Sequence, residues 1–239
     1  MGLPDNSMEG FAASVANKAD GLEIDVQLTK DNICVLYHDR TAQKLTGARR
    51  PIFSYTLDQL EKAGSDGRKI VTLEKAIELF KEKTRLYIEI KSGKLERKLG
   101  ITKLIVQKVC NLVAGIEPEF KKNISFLSFD PDVLEHIHNM DTGTGYVLNI
   151  DEYAIKEKWS VQIKEILNKT YSVKNLTGLC INKRKLTHKL VTFAHDHDLK
   201  MFVYSCNTEN QLKRLLGFKL DGIMTDRAQW LVKRMNHET

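Results

Sequence analysis

From Gly21 almost to its end, the chain alternates short apolar runs with amphipathic helical stretches. Strand segments are expected at 21–26, 86–91, 124–128, 145–150, 179–182, 200–206 and 221–225. Helical periodicity falls between them, at 73–81, 95–113, after Asp130–Pro131, at 187–197, 209–217 and 228–234. Strand then helix, repeated, specifies a parallel sheet with right-handed crossovers. At 239 residues the chain is long enough to bury a sizeable core. No repeat or linker divides it, so 1–239 is read as one α/β domain. A closed (β/α)8 barrel needs eight strands, and seven are counted. The shortfall falls at the N-terminus, where the chain opens on a helix at 6–18, capped by Asn6 or Ser7. Residues 151–175 are the least patterned; they carry Trp159 and an expected helix at 161–167.

The stretch 21–40, GLEIDVQLTKDNICVLYHDR, concentrates the polar chemistry. Residues two apart on a strand share a face, so Glu23 and Asp25 project together while Leu22, Ile24 and Val26 point the other way. Adjacent carboxylates repel and call for a cation or a shared proton. Hard oxygen donors suit Ca²⁺ or Mg²⁺. TKDN reads as a turn and ICVLYHD as a returning strand that delivers His38 and Asp39. An imidazole near a carboxylate-bound metal suits proton transfer at neutral pH. The same spacings also fit a half-exposed strand with a polar face and an ordinary strand-end loop. The strand at 86–91 adds Glu89 and Lys91, again two apart. In a parallel barrel, chemistry sits at the C-terminal strand ends. Glu23, Asp25, Glu89, Lys91, Ser128, Asn182, Tyr204 and Thr225 all fall at or near expected ends. Three carboxylates and a lysine from two strands make a metal and phosphate site, with the substrate left open.

Net charge is +6, which favours anionic ligands. No basic block with interleaved aromatics points to nucleic acid. No apolar run approaches the roughly 20 residues of a membrane span, and MGLPDNSMEG lacks a signal-peptide pattern. Cys34, Cys110, Cys180 and Cys206 show no CxxC spacing. They are expected as buried free thiols in a reducing, cytoplasmic compartment, three in strand-like runs and Cys110 on a helix.

Taken together, these motifs resemble the glycerophosphodiester phosphodiesterases. That family's signature is His-Arg, then E-x-D, then His-Asp. Glu23-Ile24-Asp25 and His38-Asp39 match the last two parts. Pro4-Asp5-Asn6-Ser7 is similar to the PENT or PENS helix start, Ile88-Glu89-Ile90-Lys91 to I-E-I-K, and Ser128-Phe129-Asp130 to S-F-D. Residues 221–227, DGIMTDR, resemble the closing D-G-I-x-T-D-x-P strand, and Tyr204-Ser205-Cys206-Asn207 stands where W-T-V-N is common.

The resemblance implies a TIM barrel that hydrolyses glycerophosphodiesters to glycerol 3-phosphate and an alcohol, within glycerophospholipid metabolism. Glu23, Asp25 and Glu89 would ligate a divalent metal, Ca²⁺ or Mg²⁺. Lys91 would contact the phosphate, Tyr204 would line the substrate side, and His38 would be one of two acid/base histidines. The family's His-Arg-Gly strand precedes PENT; here only Met1-Gly2-Leu3 precede Pro4. The expectation is an N-terminally truncated barrel with weak activity as written, and with exposed edges at 21–26 and 221–225. The other six histidines are expected in structural or surface roles. Two alternatives remain: a non-catalytic metal and phosphate-ligand barrel, or a phospholipase D-like member, which would call for an exposed apolar loop near the barrel mouth; 150–159 is the candidate and also reads as an ordinary covering segment. Oligomeric state is left open.

Overall fold

The computed structural model describes residues 3–64, 69–150 and 176–237. Nine strands form one sheet: β1 (Gly21–Leu28), β2 (Cys34–Leu36), β3 (Val71–Thr72), β4 (Arg85–Ile90), β5 (Ile124–Ser128), β6 (Gly145–Ile150), β7 (Leu176–Asn182), β8 (Lys200–Tyr204) and β9 (Gly222–Ile223). Their order is β3-β2-β1-β4-β5-β6-β7-β8-β9. Every neighbouring pair from β1 through β4 to β9 is parallel, and β2 and β3 are attached antiparallel on one flank. The seven parallel strands are the seven expected from the alternation. Among the described residues, β9 pairs with β8 alone, and the first half of β1 pairs with β4 alone.

Strand parity separates two apolar layers. Leu22, Ile24, Val26, Leu86, Ile88 and Ile90 are buried against the helices. On the opposite face, Leu127, Val147, Cys180 and Phe202 form an inner cluster with Tyr87, Tyr204 and Met224. Its floor is an edge-to-face pair, Tyr87 and Phe202, with ring centroids 5.7 Å apart. Phe202 fits because its ring lies over Gly178, two residues before its register partner Cys180 on β7, and over Gly222, its register partner on β9. A Cβ on either would lie 2.8 Å or 2.6 Å from the ring. Large and small residues thus alternate to fill a small barrel.

Several boundaries differ from expectation. The first helix is shorter than expected, Met8–Ala16; Ser7, one of the two expected caps, closes its start by accepting from the Gly10 amide. The helical run at 95–113 is two helices, Lys94–Lys98 and Ile101–Ala114, separated at Gly100, whose φ of 74° is left-handed. β1 continues to Leu28 because β2 pairs with Val26, Gln27 and Leu28. β2 itself ends at Leu36, so His38 and Asp39 stand in a loop. β8 stops at Tyr204, leaving Cys206 beyond the strand yet buried. β9 has two residues; beyond it the Met224 amide still donates to the Val203 carbonyl at 2.8 Å, and Thr225 Oγ1 donates to Asn207 Oδ1 at 3.0 Å. The helix expected at 161–167 and the covering segment at 150–159 lie outside the described residues, Ile150 excepted. Among the described residues no helix is long and apolar enough to cross a membrane.

Candidate active site

Glu23 and Asp25 lie on the inner face of β1, and Glu89 on β4 is the register partner of Asp25. Oxygens from all three carboxylates lie within 4.8 Å of one another. Asp25 and Glu89 are buried and Glu23 is half-buried. Lys91 follows the end of β4, its Nζ 2.6 Å from Asp25 Oδ1 and 2.7 Å from Glu89 Oε1. Asp25 Oδ2 accepts from Asn6 Nδ2 at 2.8 Å, while the Asp25 amide donates back to Asn6 Oδ1 at 3.0 Å. Glu89 Oε2 accepts from Asn149 Nδ2 at 3.0 Å. Glu23 Oε1 is buried with no hydrogen-bond partner.

Burial lifts the Glu23 carboxyl well above its ordinary range, and repulsion from Asp25 and Glu89 adds to it. Burial also raises Glu89, against the pull of Lys91. On Lys91 burial acts downward, but Asp25 and Glu89 outweigh it and hold the ammonium charged. Fully ionised, three carboxylates face one ammonium; a divalent cation would bring the set to neutrality. The all-oxygen donor set and the orphaned Glu23 oxygen fit a hard ion such as Ca²⁺ or Mg²⁺.

His38 lies in the loop after β2, with 63% of its side chain exposed and Nδ1 3.1 Å from Asp39 Oδ1. Gln27, the next inward residue of β1 after Asp25, fixes the loop from below. Its Nε2 donates to the carbonyls of Tyr37 and Asp39, each at 2.7 Å, bracketing His38 on both sides. A cleft lined by Gln27, Arg40, Phe53, Ser92 and Glu96 opens beside Lys91.

The residues 1–229 match the model of the glycerophosphoryl diester phosphodiesterase family. The chain belongs to this family. It is 26% identical to a glycerophosphodiester phosphodiesterase of Caldanaerobacter subterraneus subsp. tengcongensis, over 96% of this chain and 91% of that protein. It is 35% identical to human lysophospholipase D GDPD3 over 109 residues, 39% of this chain and 33% of that one. Among solved structures it is similar to an Oleispira antarctica phosphodiesterase in complex with the product sn-glycerol-3-phosphate. The TM-score there is 0.80 at 21% identity, covering 98% of this chain and 92% of that one. That likeness shows the barrel fold.

The remaining residues of this phosphodiesterase-family site divide clearly. Tyr204, at the end of β8, joins the inner apolar cluster and meets Phe129 edge-to-face at 6.1 Å. Ser128 Oγ donates to the Ile90 carbonyl, and Asn182 Oδ1 accepts from the Arg184 amide, so both hold backbone at the barrel rim. His136 Nδ1 lies 3.1 Å from its own helix's Asp132 carbonyl. His138 packs on Tyr146, His188 on Phe218 and His197 on Phe193, and His195 pairs with Asp221 at 3.0 Å.

Sequence reasoning missed three residues that touch the site. Gln27 continues the two-residue series of Glu23 and Asp25, which was a usable signal. Asn6 sits in the PENS-like segment and read as a helix cap. Asn149 was the lone amide in the apolar run GYVLNI.

Proposed function

We propose that this family member hydrolyses glycerophosphodiesters to glycerol 3-phosphate and an alcohol, with one Ca²⁺ or Mg²⁺ held by Glu23, Asp25 and Glu89. The observation that carries this is the convergence of three carboxylates, one with an orphaned buried oxygen, beside a single lysine. The bound ion would offset phosphodiester charge and its growth in the transition state. Lys91, charged and next to the cleft, contacts the phosphate oxygens. His38, held by Gln27 and paired with Asp39, serves as acid/base. Tyr204 lines the substrate side. The family's leading His-Arg has no counterpart before Pro4. The four buried thiols support a reducing, cytoplasmic setting, and the chemistry a place in glycerophospholipid turnover.

The local likeness to a human lysophospholipase D favours one second reading, cleavage of lysophospholipids at the same bond. The test compares this chain with a version extended ahead of Pro4 by a strand carrying His-Arg-Gly. Each receives glycerophosphocholine or lysophosphatidylcholine with Ca²⁺ or Mg²⁺. We expect glycerol 3-phosphate release from glycerophosphocholine by the extended version, at least about 10²-fold faster than by the chain as it stands. Preference for lysophosphatidylcholine supports the second reading. Metal-dependent ligand binding without turnover in either version points to a binding barrel instead.

A further inference from the structure

Asn149 is polar where the fold alone asks for an apolar residue. It lies on β6 between Leu148 and Ile150, opposite Cys180 on β7, and is 4% exposed. Only half of its amide is used. Nδ2 donates to Glu89 Oε2 at 3.0 Å, while Oδ1 is buried with no partner. Buried polar atoms are nearly always satisfied, and an orphaned acceptor disfavours the folded state. Leucine has the same branched shape and would remove the orphaned oxygen, at the cost of the donor to Glu89 Oε2. The fold therefore gains little from this amide, and the one thing it does touch is Glu89.

The contact is directional. With Oε2 held by Asn149, Glu89 turns its other oxygen, Oε1, toward Lys91 at 2.7 Å. Asp25 repeats the arrangement from β1. Asn6 Nδ2 holds Oδ2 at 2.8 Å, and Oδ1 faces Lys91 at 2.6 Å. Each carboxylate thus has one oxygen fixed by a neutral amide and one aimed at a shared point. A neutral donor orients a carboxylate without competing for the cation that it binds, as a lysine or arginine there would. Groups that hydrogen-bond metal-ligating side chains in this way tune metal affinity strongly.

We infer that Asn149 and Asn6 are positioning residues that orient Glu89 and Asp25 for a divalent cation. This rests on the metal reading under Proposed function. Asn6 also satisfies the Asp25 amide on the edge of β1, so its loss disturbs backbone as well. Asn149 has no such second task, and it carries the test.

The full chain, treated with chelator, is titrated with Ca²⁺ and with Mg²⁺ by calorimetry, and its thermal unfolding is followed in chelator. For Asn149→Leu we expect metal affinity to fall by about 10–100-fold. Its unfolding temperature in chelator should stay close to that of the wild type, because the orphaned Asn149 oxygen goes as Glu89 Oε2 loses its donor. Asn6→Ala should weaken metal binding as well. Wild-type affinity in Asn149→Leu overturns the proposal. A lower unfolding temperature with unchanged affinity does so too, and would mark Asn149 as structural. A wild-type chain that shows no saturable binding fails one step earlier: it overturns the metal reading itself and the inference resting on it.

Discussion

Asp25 and Glu89 are register partners on adjacent parallel strands, and the Lys91 ammonium bridges their carboxylates at 2.6 Å and 2.7 Å. Removing one member of a buried charge set leaves the others uncompensated, at roughly 3–5 kcal/mol. Lys91→Met should destabilise the chelated protein by about that much, and added divalent metal should restore most of the loss. Urea unfolding with and without metal measures both. Equal stability of Lys91→Met and wild type in chelator would contradict the bridge.

Glu23 gives a pH signature of defined sign. Its carboxyl is raised above the ordinary 4.5 in the folded protein, chiefly by burial. The stability it contributes is present in full below that ordinary value, and is lost as pH rises through the folded one. Glu23→Gln removes this loss. In chelator, the variant should be more stable than wild type at pH 8, with the advantage vanishing toward pH 4. Parallel stability profiles for the two proteins, or a wild type that is the more stable at pH 8, would show that Glu23 is not held this way.

Gln27 brackets His38 through the carbonyls of Tyr37 and Asp39. Gln27→Leu should free that loop while leaving the three carboxylates in place. Misplacing a reacting group by about 1 Å can lower a rate about 10²-fold. In the version extended with His-Arg-Gly, we expect kcat to fall toward that limit, with KM and metal affinity little changed. Steady-state kinetics separate the two; a loss carried by KM alone would place Gln27 in substrate binding.

All four cysteines are buried free thiols. Burial pushes Cys34 and Cys110 up to about 12, and raises Cys180 and Cys206 as well. The thiolate is the reactive form. A disulfide reagent at pH 8 should therefore label none of them in the folded protein and four in urea. Rapid labelling of the native chain would mean that one of these sites opens.

What could be read in advance had a local period. The alternation of strand and helix placed seven parallel strands, and spacing by two put Glu23 with Asp25 and Glu89 with Lys91 on one face. What could not be read depends on partners distant in the chain. β1 runs past Val26 because a hairpin partner meets it there. After β9, the Thr225 hydroxyl is held by Asn207, 18 residues away. Asn6 reaches Asp25 across 19 residues and Asn149 reaches Glu89 across 60; each is locally conspicuous, but its partner cannot be read from its neighbours. Gly100 was local but ambiguous, since the helical pattern continues on both sides of it.

The most direct measurement is glycerol 3-phosphate release from glycerophosphocholine by the version extended with His-Arg-Gly, titrated with Ca²⁺ or Mg²⁺, beside the same protein with Glu89→Ala. We expect the rate to saturate with metal and to fall at least about 10²–10³-fold in Glu89→Ala. Turnover that persists in chelator, or that survives Glu89→Ala, would contradict a metal-dependent hydrolase built on Glu23, Asp25 and Glu89.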